Sequence, residues 1–336
     1  MTKISELIIL GASSVLGKEF RELLNDHLLD IGSIRLMDEE DHSGELLSLR
    51  GEPALVTKFD PDVFSRGKII VNAHSAQAHS DLLHRAILSG ASWVDMSGTL
   101  NLNSGVPLVI PAINRDAITP ETKIVACPSS PTVMILQAIY PIHQQWGICQ
   151  LSGTILLGHS FHSQEAMDEL FEQTRKLLSF QELPQKIWPF QVAFNAFPDM
   201  RGIDSSGFSN LERLIADEME RMLGVPNLIS MFMAVWIPTF IGCGISLQLQ
   251  FRAVPDLETT HSLLSSNLKI YLGDMEKGPE ELAIFQTMRQ EKICIGRLRT
   301  DRTDRSILSM WLAADNFRTG SVSNVIEICN LMNQQA

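Results

Sequence analysis

The chain has 336 residues, 45% hydrophobic and 20% charged, a balance that suits one large or two ordinary folded domains and argues against intrinsic disorder. Its formal net charge of −12 disfavours a surface that follows a phosphate backbone, because nucleic-acid affinity needs Lys and Arg to displace counterions. Five scattered cysteines (Cys127, Cys149, Cys243, Cys294 and Cys329) have no CxxC spacing, so they read as reduced thiols of a cytoplasmic protein rather than a disulfide framework or metal site.

In chain order, a strand is expected at 6–10, a helix at 15–26, strands at 34–37 and 68–72, a helix at 80–89, and strands at 93–96 and 123–126. Short apolar runs alternating with helical patterns have the rhythm of an α/β parallel sheet. From Gly153 onward the strands lengthen (150–157 and 246–254) and two helices, 163–178 and 209–223, lie between them, which suggests a second domain of mixed sheet plus helices. The most apolar stretch, 229–245, is interrupted by Pro238, Gly242 and Gly244, and reads as two buried strands with a bend rather than a membrane span. The loop 179–188 is expected to be mobile, and 322–332 returns to helical periodicity.

The first strand runs into Gly11-Ala12-Ser13-Ser14-Val15-Leu16-Gly17 and then a helix, the context in which a glycine turn and free helix N–H groups meet a pyrophosphate. Ser14 stands where a GxxGxxG loop has its middle glycine; its side chain is expected to take up phosphate space, although the hydroxyls of Ser13 and Ser14 are able to donate to an anion. The plain alternative is a strand–helix turn that binds nothing. Asp38, 21 residues beyond Gly17, is placed to accept from ribose hydroxyls, and Glu39, Glu40 and Asp41 extend an acidic turn that repels a 2′-phosphate. The expected dinucleotide is NAD, bound weakly or not at all; a solvated acidic turn is the alternative.

Six ordered segments carry a family resemblance. The glycine loop resembles a GATGAVG opening, Val106-Pro107-Leu108-Val109-Ile110-Pro111 with Asn114 a VPLVVPEVN segment, and 166–174 a GMEELLEQT helix. Residues 190–195 with Pro198 resemble HQIAFNVIP, Gly296-Arg297-Leu298-Arg299 resembles GRIR, and 314–320 resembles ADNLRKG. Together they resemble the aspartate-β-semialdehyde dehydrogenases over residues 7 to about 330. The resemblance implies an α/β fold class with a Rossmann-like N-terminal domain (1–127, completed by a C-terminal helix over 318–336) and a second α+β dimerisation domain (128–317). It also implies a homodimer built through that second domain, and reversible reductive dephosphorylation of aspartyl phosphate to the semialdehyde.

The same resemblance places the family's chemical positions on residues that do not suit the chemistry. The cysteine nucleophile falls on Ser130, whose hydroxyl needs a general base that a thiol can largely do without. The glutamine falls on Leu157, the substrate arginine on Trp236, the histidine acid/base on Cys243 and the phosphate-gripping arginine on Asn101; a Glu–Lys pair falls near Leu211 and Leu214. The pattern looks like the Usg-like branch, which lacks the catalytic cysteine, and implies a non-catalytic binding or assembly role. The competing expectation is an enzyme: an NAD-dependent oxidoreductase, or a serine-based one pairing Ser130 with His159 or His162, acting on a small semialdehyde-like molecule. Cys243 and Cys127 are weighed as relocated nucleophiles and read as packing thiols. His74 and His79 raise a metal reading that lacks a nearby carboxylate, and no metal is expected.

Overall fold

The computed structural model describes residues 4–27, 29–74, 80–273 and 278–335. The chain divides into two units, Met1–Ser129 with Gly320–Ala336, and Ser130–Thr319.

The first unit is built on β1 (Glu6–Leu10), α1 (Val15–Asp26), β2 (Ser33–Asp38), β3 (Leu46–Leu49), β4 (Glu52–Lys58), β5 (Lys68–Asn72), α2 (Ser80–Ser89), β6 (Ser92–Asp95), α3 (Pro111–Asn114) and β7 (Ile124–Ala126). Its sheet runs β3-β4-β2-β1-β5-β6-β7, parallel except for the antiparallel β3–β4 pair at one edge. Strand β1, with parallel neighbours on both sides, is buried at every residue, as its unbroken Leu-Ile-Ile-Leu run requires. Ile8, Leu10, Met37, Ile70 and Trp93 form a core with Phe64 and Ala86.

The second unit contains α4 (Ser130–Trp146), β8 (Ile148–Leu157), α5 (Gln164–Leu178), β9 (Phe197–Pro198), α6 (Asn210–Leu223), β10 (Ile229–Trp236), β11 (Cys243–Phe251), α7 (Leu257–Ser265), β12 (Ile270–Leu272), α8 (Ile284–Thr287), β13 (Ile293–Thr300) and β14 (Ile307–Ala314). The chain then returns to the first unit as α9 (Val322–Gln335), which packs on α1 and α3. The second sheet is mixed, in the order β12-β13-β14-β11-β8-β10-β9. Helices α4 and α6 pack on β8 and β10, and α7 on β12 and β13.

The register exposes what lies on the other face. Cross-strand neighbours share a face, so Met231, Ser152, Gln248, Ser309 and Arg299 form one row, and Met233, Thr154, Ser246 and Trp311 the next. Ile229, Met231 and Met233 are 54%, 60% and 57% exposed. The expectation of two buried strands over 229–245 therefore needs correcting: β10 buries only one of its faces.

The loop expected to be mobile is anchored. Backbone N–H groups of Lys186, Ile187 and Trp188 donate to the buried Glu169 carboxylate at 3.0, 2.6 and 3.3 Å. Gln173 donates to the carbonyls of Pro184 and Phe190 and accepts from the amides of Val192 and Ala193. No described helix is long and apolar enough to cross a membrane.

Candidate functional site

In the first unit the glycine loop has the geometry of a strand–helix turn. Gly11 has φ 75°, and a Cβ on it would lie 2.9 Å from the His74 Cβ; a Cβ on Gly17 would lie 2.1 Å from the Gly11 carbonyl oxygen. Both positions require glycine, and the turn brings α1 directly over the end of β1. Ser14 is the N-cap: its Oγ accepts from Gly17 N at 3.0 Å and donates to the Ala73 carbonyl at 3.0 Å. The Ser13 hydroxyl donates to Asp38 Oδ2 at 2.6 Å, and Ser13 N donates to the same oxygen at 2.7 Å. Both hydroxyl protons are thus taken, which corrects the expectation that Ser13 and Ser14 offer them to an anion. The Ser14 side chain is turned into the helix end by its capping bonds. The amides of Val15 and Leu16, in the first turn of α1, have no hydrogen-bond partner among the described residues.

Asp38, at the end of β2, is buried, and its other oxygen accepts from Glu39 N at 2.9 Å. Beyond it, Glu39 Oε1 reaches His74 Nε2 at 3.4 Å, and the His74 ring stands edge-on to Phe59. His79 lies outside the described residues; among those described, no group of three His, Cys, Asp or Glu side chains is arranged to hold a metal ion. Asn101 is fully buried in this unit. Cys127 is also buried here: Asn324 Nδ2 donates to its Sγ at 3.2 Å, and the thiol faces the carbonyls of Pro128 and Ser321.

In the second unit the register gathers three of the positions that the resemblance assigns to chemistry into one row. Leu157 ends β8, opposite Trp236 at the end of β10 on one side and Cys243 at the start of β11 on the other. All three are fully buried. The Cys243 thiol is pushed well above its usual range by burial, so it is held as a neutral thiol, the form that packs rather than attacks. Ser130, on which the resemblance places the nucleophile, is the first residue of α4, followed by Pro131, which suits a first helical turn because its missing N–H would have no helical partner there.

Trp236 is the centre of a ring cluster. Trp188 lies 5.2 Å from it, His159 5.8 Å and His162 6.2 Å, and Phe197 stacks on it at 6.5 Å. The Arg201 guanidinium lies over the indole, 4.7 Å from its centroid. Asp199, whose side chain is 0% exposed against 40% for Arg201, binds that guanidinium at 2.7 and 3.3 Å and accepts from the Trp236 indole N–H at 3.1 Å. Burial alone would raise the Asp199 carboxyl, but the Arg201 hydrogen bond and charge, with the Trp236 indole, outweigh it and hold it below the usual carboxylate range.

The two histidines do not serve Ser130. His159 is fully buried, and neither ring nitrogen has a hydrogen-bond partner among the described residues. Burial and the neighbouring His162 depress it to about 4, with Glu169 opposing, so it is neutral at ordinary pH. His162 Nδ1 meets Ser163 Oγ at 3.4 Å, and burial followed by the Arg201 charge lowers its pKa. Neither ring is hydrogen-bonded to the Ser130 hydroxyl, so the Ser130–His pairing weighed from the sequence is not formed.

The motifs that carry the resemblance have structural work that is visible in the same geometry. Asn114 accepts from Ile110 N and donates to the Leu108 carbonyl, closing its own segment. Glu169 and Gln173 organise 184–193, as described above. Asp315 accepts from the amides of Arg289, Phe317 and Arg318, and Asn316 accepts from Gly242 N and Ser160 Oγ. Asp199, Arg201 and Trp188 were not singled out from the sequence; an Asp-x-Arg pair and a tryptophan in a loop carry no signal until Trp236 is seen beside them.

Comparison with known proteins agrees with this division. A family profile described as the NAD binding domain of semialdehyde dehydrogenases matches residues 6–120, and one described as their dimerisation domain matches 139–319. An aspartate-semialdehyde dehydrogenase of Prochlorococcus marinus is 26% identical over 97% of this chain and 95% of its own, and aspartate-semialdehyde dehydrogenase 2 of Vibrio cholerae is 24% identical over 99% and 98%. A crystal structure of aspartate semialdehyde dehydrogenase II from Vibrio cholerae superposes with a TM-score of 0.91 at 24% identity, covering 98% of both chains, and the structure of a probable aspartate-semialdehyde dehydrogenase from Pseudomonas aeruginosa with 0.90 at 23%, likewise over 98% of both. The chain belongs to the semialdehyde dehydrogenase family, with an α/β NAD-binding domain followed by a dimerisation domain.

Proposed function

We propose that this family member does not catalyse phosphate-dependent semialdehyde oxidation and acts as a binding or assembly protein, as the resemblance to a branch without the catalytic cysteine implies. The observation that carries this reading is the row Trp236–Leu157–Cys243, where an apolar ring, an apolar chain and a neutral buried thiol occupy adjacent strand ends. A semialdehyde and a phosphate need fixed charge and a proton carrier at such positions, and removing one such group costs on the order of 10² to 10³ in rate. A serine-based enzyme gains no support, because Ser130 has neither histidine as its base.

Two further parts belong to this reading. The protein is a homodimer joined through the open sheet face of β10, β8, β11 and β14, where exposed methionines flank small polar side chains. The dinucleotide it takes is NAD, weakly, because a 2′-phosphate would meet Asp38, Glu39, Glu40 and Asp41. Thermal-shift measurements with aspartate semialdehyde, NAD and NADP test the reading. Only NAD is expected to raise Tm, and only at high concentration; a shift with the semialdehyde that disappears in Ser130→Ala contradicts it.

A further inference from the structure

The cleft at the end of β1 holds internal contacts in the places a nucleoside would use. An ionised carboxylate offers about four lone-pair sites. Three of those on Asp38 are filled from within the chain: Ser13 N and Ser13 Oγ on Oδ2, and Glu39 N on Oδ1. Two ribose hydroxyls need two acceptor sites, so a ribose cannot seat both on Asp38 without displacing one of these donors. The backbone donors are part of the loop fold; the Ser13 hydroxyl is the one able to rotate away.

A second contact spans the same strand end. Strand β1 lies between β2 and β5, and the residues that follow those two neighbours meet across it: Glu39 Oε1 reaches His74 Nε2 at 3.4 Å. Gly11 lies beneath, close enough that a Cβ on it would touch the His74 Cβ and backbone. Ligands of open parallel sheets bind in the crevice outside the carboxyl ends of the strands, so this bridge lies across the path of a nucleoside seated on Asp38. The amides of Val15 and Leu16, without a partner among the described residues, are left for a phosphate.

We infer that Ser13 and Glu39 are specificity-determining residues that close the nucleoside half of the cleft from within: the Ser13 hydroxyl takes the place of a ribose hydroxyl on Asp38, and the Glu39–His74 bridge covers the strand end. The inference rests on the NAD reading above and gives a physical origin for the weakness proposed there. It also moves that origin away from Ser14, which caps α1.

Calorimetric titration of NAD into the full-length wild type, Ser13→Ala, Glu39→Gln and the double variant tests it. Ser13→Ala removes the hydroxyl and leaves the loop amide on Asp38; Glu39, with about half its side chain in solvent, tolerates the amide without disturbing the fold. Ser13→Ala is expected to tighten NAD about tenfold, the size of effect one charge-assisted hydrogen bond exerts on affinity, Glu39→Gln by a smaller factor, and the double change further than either. Unchanged or weaker binding in both single variants overturns the inference, as does failure of the double variant to bind NAD. Low-micromolar binding by the wild type would instead overturn the NAD reading itself, since no closure would then need explaining.

Discussion

At position 236 an indole stands where the resemblance implies a guanidinium, and a buried indole N–H needs an acceptor. Asp199 supplies it, and Arg201 neutralises Asp199 from the partly exposed side. Asp199→Ala leaves the Trp236 N–H unpaired in the core, and we predict a loss of about 1–3 kcal/mol in denaturant unfolding. Because the folded Asp199 carboxyl is held below its unfolded value, its contribution is present above the unfolded pKa and is lost as pH falls through the folded one. His159 has a depressed pKa as well, but as a base it must stay neutral. Between its ordinary value near 6.5 and the folded value of about 4 the unfolded chain binds the proton, so stability declines as pH falls across that window, by at most about 3 kcal/mol. His159→Phe removes two unpaired buried nitrogens and this proton linkage together. Its Tm advantage over wild type is expected to be larger at pH 5 than at pH 7.5; an equal advantage at both would show that His159 is not the titrating group.

Among the elements, Glu169 on α5 is a residue of the family-like motif whose role in this chain is structural. Glu169→Ala leaves three loop amides without their acceptor, and we predict a cost of about 2–4 kcal/mol together with faster amide exchange at 186–188. Exchange unchanged at those residues would mean that the anchor is unimportant. That anchor was invisible in the sequence, where 179–188 reads as a loop with few apolar residues; the carboxylate that holds it lies 17 to 19 residues away. The parallel strands were legible because a strand buried on both faces is an unbroken apolar run, as in β1. Helix α4 was not, since burial on nearly every side leaves no amphipathic period and Pro141 interrupts it. The sequence of β10 reads as buried because its exposed residues, Ile229, Met231 and Met233, are as apolar as those facing inward. The family motifs assign the site positions one by one, and the register of β8, β10 and β11 places three of them side by side. The ring cluster was not legible, because Trp188, Asp199 and Trp236 come together only across the tertiary fold.

For the whole molecule, the arrangement separates what maintains the fold from what the family resemblance assigns to chemistry. Asn114, Glu169, Gln173, Asp315 and Asn316 hold loops and strand ends, while Leu157, Trp236 and Cys243 fill space. The open second sheet is a product of the same fold, and light scattering at micromolar concentration is expected to give twice the chain mass. Met231→Arg with Met233→Arg places two charges on that face and is expected to yield a folded monomer; a dimer that survives them would place the interface elsewhere. Phosphate-dependent oxidation of aspartate semialdehyde by the purified protein, followed as NADH or NADPH formation, is expected to show no turnover above the protein-free rate with either cofactor. Turnover that persists through purification and is abolished by Ser130→Ala would contradict that expectation.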